Sequence, residues 1–433
     1  MNTLNPPSIP LAPTRALTRS DHRTLVLAAL GGALEFYDFV IYVFFAATIG
    51  QLFFPPAIPD WLRQLQTFGI FAAGYLARPL GGVIMAHFGD RAGRKRMFTL
   101  SVMLMALPTL AMGLLPTFDA IGIAAPVLLL ICRVLQGAAV GGEVPGAWVF
   151  VAEHVPPRHV GYACGLLTGG LTLGILLGSL IASGINHHYS HAEIAAYAWR
   201  IPFVIGGLFG MLSARLRRWL SETPVFVDMQ ARKALAAGAP LKAVLRGHLR
   251  AVLISMLLTW TLTAAIVVVI LMTPTLVAKR FHIDPALALQ ANSAATLCLT
   301  FGCVIAGWMA GRMGARRTIG VGCALLGAAY FLMLRGVAAD TAWLVPLYAV
   351  SGLFVGAVAA IPVAMVQAFP PAVRFSGISF SYNVAYALFG GLTPVFVALM
   401  LKWSPQAPEL YVGALCVVGA LAALGLKRVP ADK

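Results

Sequence analysis

Charge is what this sequence has least of. Only 11% of its 433 residues are Asp, Glu, Lys or Arg, against about 25% in a soluble domain whose surface must face water. Acids are scarcer than bases, 15 against 31 Lys and Arg. No disulfide framework or metal-binding spacing exists either. The six cysteines, Cys132, Cys164, Cys298, Cys303, Cys323 and Cys416, all lie inside apolar runs and read as small hydrophobes in helix packing. A phosphate-binding glycine loop, a metal-ligand pattern and a nucleophile elbow are also missing, which removes the enzyme classes built on them. What remains is 60% hydrophobic with a mean hydropathy of +0.85, a composition that calls for lipid as solvent. The net charge of +16 is spread in short clusters between apolar stretches. That distribution suits loops retained on the inner side of a membrane and implies no nucleic-acid partner.

Residues 1–24 are polar, carry Pro6, Pro7, Pro10 and Pro13, and read as a disordered tail. The apolar run that follows reaches about residue 53, too long for a cleavable signal peptide. A bilayer core takes about 20 apolar residues per helix. On that scale helices are expected near 25–53, 64–88, 97–115, 120–152, 161–185, 199–220, 249–278, 288–310, 318–336, 342–367, 376–401 and 409–427. An even number puts both termini on one side. With that side inner, 23 Lys and Arg fall in or beside inner segments and six in outer ones (Arg63, Arg200, Lys279, Arg280, Arg335, Lys402). The asymmetry predicts cytoplasmic termini and a multi-pass protein of the bacterial inner membrane.

The longest inner loop, 218–248, divides the spans into six-helix halves at 25–217 and 249–427, with a short tail at 428–433. The halves echo each other. Gly89-Asp90-Arg91-Ala92-Gly93-Arg94-Lys95-Arg96 after the second helix has the spacing of Ala310-Gly311-Arg312-Met313-Gly314-Ala315-Arg316-Arg317 after the eighth, with the acid lost. Pro156-Pro157-Arg158 is matched by Pro370, Pro371 and Arg374. The expected architecture is an all-α membrane protein of twelve helices in two pseudo-symmetric halves, with a site between them that opens alternately to each side.

The loop Gly89-Asp90-Arg91-Ala92-Gly93-Arg94-Lys95 resembles the signature of the major facilitator superfamily. Further motifs resemble its metabolite:proton symporter family. They are Glu35-Phe36-Tyr37-Asp38-Phe39, Arg78-Pro79, Arg133-Val134-Leu135-Gln136-Gly137, Gly141-Gly142-Glu143, Trp199-Arg200-Ile201-Pro202-Phe203, Glu222-Thr223-Pro224, Tyr382-Asn383 and Gly390-Gly391-Leu392-Thr393-Pro394. The resemblance covers nearly the whole chain. It implies proton-coupled uptake of citrate-like, dicarboxylate, shikimate-like or zwitterionic solutes, and a cytoplasmic gate at Asp90, Arg91, Gly93, Arg94 and Arg312.

Five ionisable residues fall well inside the expected helices: Glu35, Asp38, Arg78, Arg133 and Glu143. Each costs on the order of 2.5–3.5 kcal/mol at the bilayer centre, so each needs a partner or a wet cavity. Glu35 and Asp38 share a helical face, and two close carboxylates need not ionise together. Glu35, Asp38 and Glu143 are therefore the candidate proton carriers. Tyr37, Arg133, Gln136 and Asn383 are the candidate substrate contacts, because buried arginines suit a carboxylate. Arg78 reads as a structural ion pair or a substrate ligand. Mutual pairing that merely locks helices is the competing account of all these charges. The glycines Gly137 and Gly141 suit close helix packing, and Pro362 and Pro394 mark candidate bends. His187, His188 and His191 form an outer cluster that reads as solvated loop, and no metal is expected. The reading is a secondary transporter working as a monomer, with a small carboxylate or zwitterion as substrate, the proton as coupling ion and no cofactor. An exporter of the same fold is the alternative, against which stands the lack of a Gly-Pro pair in the fifth helix. A channel or a membrane enzyme is the alternative of another class.

Overall fold

A computed structural model describes residues 15–232 and 240–426, and nearly all of them are helical. Among the described residues, eleven helices are long and apolar enough to cross a membrane, and a bent pair, His191–Ala198 with Arg200–Arg217, makes a twelfth span with a 44° break. The spans are α1 Arg19–Phe44, α2 Asp60–Ala92, α3 Arg94–Leu114, α4 Ala124–His154, α5 Val160–His188 and α6 Arg200–Arg217. The second set is α7 Leu249–Phe281, α8 Pro285–Met313, α9 Ala315–Ala339, α10 Thr341–Ala368, α11 Pro371–Leu401 and α12 Ala407–Leu424.

Neighbour relations repeat six helices later. In the first half α1 packs on α5 and α6, α2 on α4, and α3 on α4 and α6. In the second, α7 packs on α11 and α12, α8 on α10, and α9 on α10 and α12. Two seams join the halves, α5 against α8 and α2 against α11, and the same repeat relates them. Lipid solvation shows on α2, where Leu76, Leu80, Ile84 and Phe88, one turn apart, are all exposed. The opposite face of α2 carries Gly74, Arg78, Gly81 and Met85 against α4.

Glycine sets how closely these helices approach. A Cβ at Gly137 would lie 1.9 Å from the carbonyl oxygen of Gly74, and one at Gly141 would lie 2.1 Å from that of Arg78. The α5–α8 seam is built the same way, since a Cβ at Gly161 would meet the Gly307 oxygen at 2.3 Å. Gly93 (φ +116°) and Gly314 (φ +85°) turn α2 into α3 and α8 into α9 in a single residue, a backbone conformation that only glycine adopts readily. These turns lie at the end of the bundle that carries most of the basic loops, the basic end.

Several boundaries differ from the sequence reading. The tail expected at 1–24 is helical from Arg19, where Thr18 and Asp21 form a reciprocal capping box and Arg15 pairs with Asp21; residues 1–14 and 427–433 lie outside the described set. The first apolar run breaks at Phe45, leaving Ala46–Phe53 as a separate short helix. The loop at 218–248 contains two helices, Pro224–Ala231 and Pro240–Gly247, each started by a proline whose missing N–H costs nothing at a first turn. The two proline bends are real irregularities. Pro362 follows a 3-10 turn at Gly356–Ala359 and Pro394 follows a π turn at Tyr386–Gly390.

Candidate functional site

Among the described residues, three interior assemblies are built around the buried charges singled out in the sequence. The first is a latch at the basic end. Asp90, at the end of α2, accepts from Arg94 Nη1 (2.6 Å) and, with its other oxygen, from the Ser376 N–H at the start of α11 (2.9 Å). Arg94 also donates to the Pro371 carbonyl (2.8 Å), and Glu153 at the end of α4 accepts from Arg374 Nη1 (3.0 Å), Thr223 and Arg94. Glu222 accepts from the backbone N–H groups of Arg94 and Lys95. Asp90, Arg94 and Glu153 are almost wholly buried. The latch therefore bonds the two halves directly and is shielded from solvent.

The family resemblance pointed to Asp90, Gly93 and Arg94 for this region but not to Glu153 and Arg374. The motif's other members point elsewhere. Arg91 is exposed and lies 3.3 Å from His87, and Arg312 is exposed and lies over the Trp308 ring. Both are removed from the gate. In the second copy Gly311 and Ala315 replace the acid and the base, so there is nothing for Arg312 to complete.

The second assembly lies inside the first half. Arg133 Nη1 donates to Gln136 Oε1 (2.8 Å), Gln136 Nε2 donates to Thr109 Oγ1 (2.5 Å), and the guanidinium covers the rings of Tyr42 and Phe71. Thr109 borders the pocket of Asp38, which is fully buried and faces Gly206 and Gly210 of α6. Neither Asp38 oxygen makes a hydrogen bond. Tyr37 donates to the Pro202 carbonyl (2.9 Å) and is fully buried. It ties α1 to α6, away from the seam, so the structure does not support its assignment to substrate. Glu35 lies on α1, and its side chain falls outside the described residues. Glu143 forms a twofold ion pair with Arg217 (3.0 and 2.5 Å) and also bonds the Ser101 hydroxyl. Arg217, counted as a loop charge in the sequence, is 1% exposed in the last turn of α6. Glu143 is thus engaged in a buried ion pair, the arrangement that the competing account of helix-locking charges describes.

The third assembly spans the α2–α11 seam at mid-span. Arg78 lies 14 residues before the end of α2, about 21 Å along the axis. Its Nε donates to Asn383 Oδ1 (3.4 Å), and its guanidinium lies 4.3 Å from the Tyr386 ring, 5.4 Å from Tyr382 and 5.6 Å from Tyr75. Arg78 is 2% exposed, and its Nη2 makes no hydrogen bond. Asn383 spends its amide on the carbonyls of Gly141 (2.6 Å) and Ser379 (2.8 Å). It therefore positions Arg78 rather than offering donors to a ligand. Tyr386 opens the π turn of α11, a local unwinding often found at functional sites. The tyrosines were not singled out as ligands, and their signal was available: Tyr75 and Arg78 are three apart on one helix, as Tyr382 and Tyr386 are four apart on another.

No group of three or more His, Cys, Asp or Glu that could hold a metal occurs among the described residues. His187 and His188 stand side by side with rings 5.2 Å apart, and the six cysteines are free.

Twelve spans in a paired-repeat contact pattern, with buried charges both inside the first half and on the seam between the repeats, define a polytopic membrane fold of the transporter kind. The chain belongs to the major facilitator superfamily, whose family model matches residues 40–394 and 262–433. It is similar to the proline/betaine transporter of Escherichia coli (strain K12), 29% identical over 421 residues and covering 94% of this chain and 83% of the other. It is also similar to the glycine betaine/proline/ectoine/pipecolic acid transporter OusA of Dickeya dadantii (strain 3937), 28% identical with the same coverage. The structure of the proton:xylose symporter XylE bound to 6-bromo-6-deoxy-D-glucose superposes with a TM-score of 0.74 at 18% identity, over 93% of this chain and 94% of that one. The protein is a secondary transporter and not an enzyme.

Proposed function

We propose that this chain imports a small zwitterion bearing a carboxylate, driven by protons, across the bacterial inner membrane, with its basic end and both termini cytoplasmic. The observation that carries the reading is Arg78. It is a buried guanidinium on the seam, held in place from the other half by Asn383, with an Nη2 that has no partner. A carboxylate suits that group, since charge-assisted bonds to guanidinium are among the stronger hydrogen bonds in proteins. Relatives named for betaine and proline support the zwitterionic class over the citrate-like one. Asp38 is the proton carrier in this reading. A buried carboxylate without a hydrogen bond costs several kcal/mol as an anion, and protonation removes that cost. Arg133, Gln136 and Thr109 then form a polar string between the Asp38 pocket and the aromatic wall of α1 and α2. The protein works as a monomer, needs no cofactor, and alternates by breaking and remaking the latch.

The test is uptake by the purified protein in liposomes. Betaine and proline should accumulate under an inward proton gradient, and Arg78→Gln should weaken their apparent affinity strongly. Accumulation of dicarboxylates alone, or uptake that follows a sodium gradient and ignores pH, would refute the substrate or the coupling assignment respectively.

A further inference from the structure

A continuous series of rings crosses from one half of the protein to the other. Tyr42 stacks on Phe71 (6.1 Å, 9°), Phe71 meets Tyr75 edge-on (4.9 Å), and Tyr75 stacks on Tyr386 across the seam (5.8 Å, 10°). Tyr386 then packs on Tyr382 (5.3 Å), and Tyr382 meets Trp148 (5.0 Å). Around Arg78 three of these rings, Tyr75, Tyr382 and Tyr386, surround one cation. Tyrosine faces attract cations through their quadrupole, most strongly where water is excluded. The arrangement is already shown to take a flat, weakly hydrated cation, because it holds one of the protein's own.

We propose that the Tyr75–Tyr382–Tyr386 cluster is the subsite for the substrate's alkylated ammonium group, a group for which Arg78, lying over the same three rings, is the protein's own stand-in. This deepens the reading above and rests on it. The ligand's carboxylate bonds to the unpartnered Arg78 Nη2, and its ammonium takes up the ring faces, so one cation exchanges for another on the same tyrosines. A quaternary or ring-alkylated ammonium fits better than a primary amine. A primary ammonium is compact and strongly hydrated, so ring faces offset its loss of water less well than they offset that of an alkylated cation. Because Tyr75 belongs to α2 and Tyr386 to α11, a bound cation touches both halves at once. Recognition is thereby tied to the seam that must part during transport.

The experiment uses the full-length protein in liposomes, with uptake of labelled glycine betaine challenged by two competitors. One is unlabelled glycine betaine; the other is tert-butylacetate, which has the same shape and carboxylate but carbon in place of the charged nitrogen. The wild type should favour the cationic competitor about tenfold or more. Tyr386→Leu should close that gap, Tyr386→Phe should reopen it, and Tyr75→Leu should close it from the other half. Equal competition by the two compounds in the wild type would overturn the proposal, as would a gap that survives both leucine variants. If the leucine variants fail to insert, equal competition in the wild type still overturns the proposal, and Tyr386→Phe, which keeps the ring face, must keep the gap. Wild-type vesicles that accumulate no zwitterion would instead sink the functional reading on which the proposal stands.

Discussion

Replacing Glu143 by Gln separates the two accounts of this acid most cleanly. Glu143 and Arg217 are 3% and 1% exposed and share two hydrogen bonds at 3.0 and 2.5 Å, with the Arg217 guanidinium lying 3.4 Å from the centre of the Phe98 ring. Removing one member of a buried pair costs about 3–5 kcal/mol, because the surviving charge stays buried without compensation. An amide keeps an acceptor for Arg217 but not the charge, so Glu143→Gln should lose on the order of that amount. Replacing both partners by apolar groups, Glu143→Leu with Arg217→Met, should recover most of it, since well-packed apolar substitutes for buried pairs are often neutral or stabilising. Thermal unfolding of the detergent-purified protein reads the first effect and its rescue. Gradient-driven uptake in vesicles, compared with substrate exchange, reads any effect on coupling. Glu143→Gln of wild-type stability that exchanges substrate but no longer accumulates it would refute the structural assignment and make Glu143 a proton carrier.

Asp38→Asn should abolish proton-driven accumulation while leaving substrate exchange intact; loss of both together would remove Asp38 from the coupling step. Asp90→Asn removes the anion that joins Arg94 to the Ser376 N–H. It should slow uptake by about ten- to a hundredfold with normal insertion, as expected for a charged hydrogen bond worth about 1.5–3 kcal/mol, and unchanged kinetics would dismiss the latch. Gly141→Ala would bring a Cβ to 2.1 Å from the Arg78 carbonyl oxygen, so binding in a direct assay should fall sharply even where the protein inserts. A cysteine placed near residue 190 should react with an impermeant reagent in intact cells while positions near 222 stay protected, and the reverse pattern would invert the topology.

Hydropathy made the spans legible because lipid imposes the same apolar length on each of them. The internal echo made the two halves legible because Gly93 and Gly314 perform the same turn in each. Side-chain direction was not legible. Asp90 and Arg91 are adjacent in the motif, yet one faces the seam and the other the solvent, because neighbouring positions on a helix lie about 100° apart. Arg217 passed for a loop charge because it ends an apolar run, and only the fold brings it to Glu143, 74 residues earlier in the chain. Glu153 was hidden for the same reason: its partner Arg374 is 221 residues away. Arg78 and Asn383 were both noticed, but that one positions the other depends on a contact across 305 residues.

The two seams between the halves are equivalent by symmetry and opposite in chemistry. At the basic end, α11 is tied to the first half by the Glu153–Arg374 ion pair and the Asp90–Ser376 bond, whereas α5 and α8 meet largely through glycine backbones, with the Thr172–Thr300 hydroxyl pair between them. Glycine surfaces bridged mainly by a hydroxyl pair can roll on each other at the loss of few specific bonds, as a bearing does. The energetic barrier to opening then concentrates at the bolted edge. The bolt's charges are out of reach of dissolved ions, which screen only what water can approach. Turnover should therefore respond steeply to temperature and hardly at all to salt, and mutation can retime the cycle at one edge without disturbing the pivot at the other.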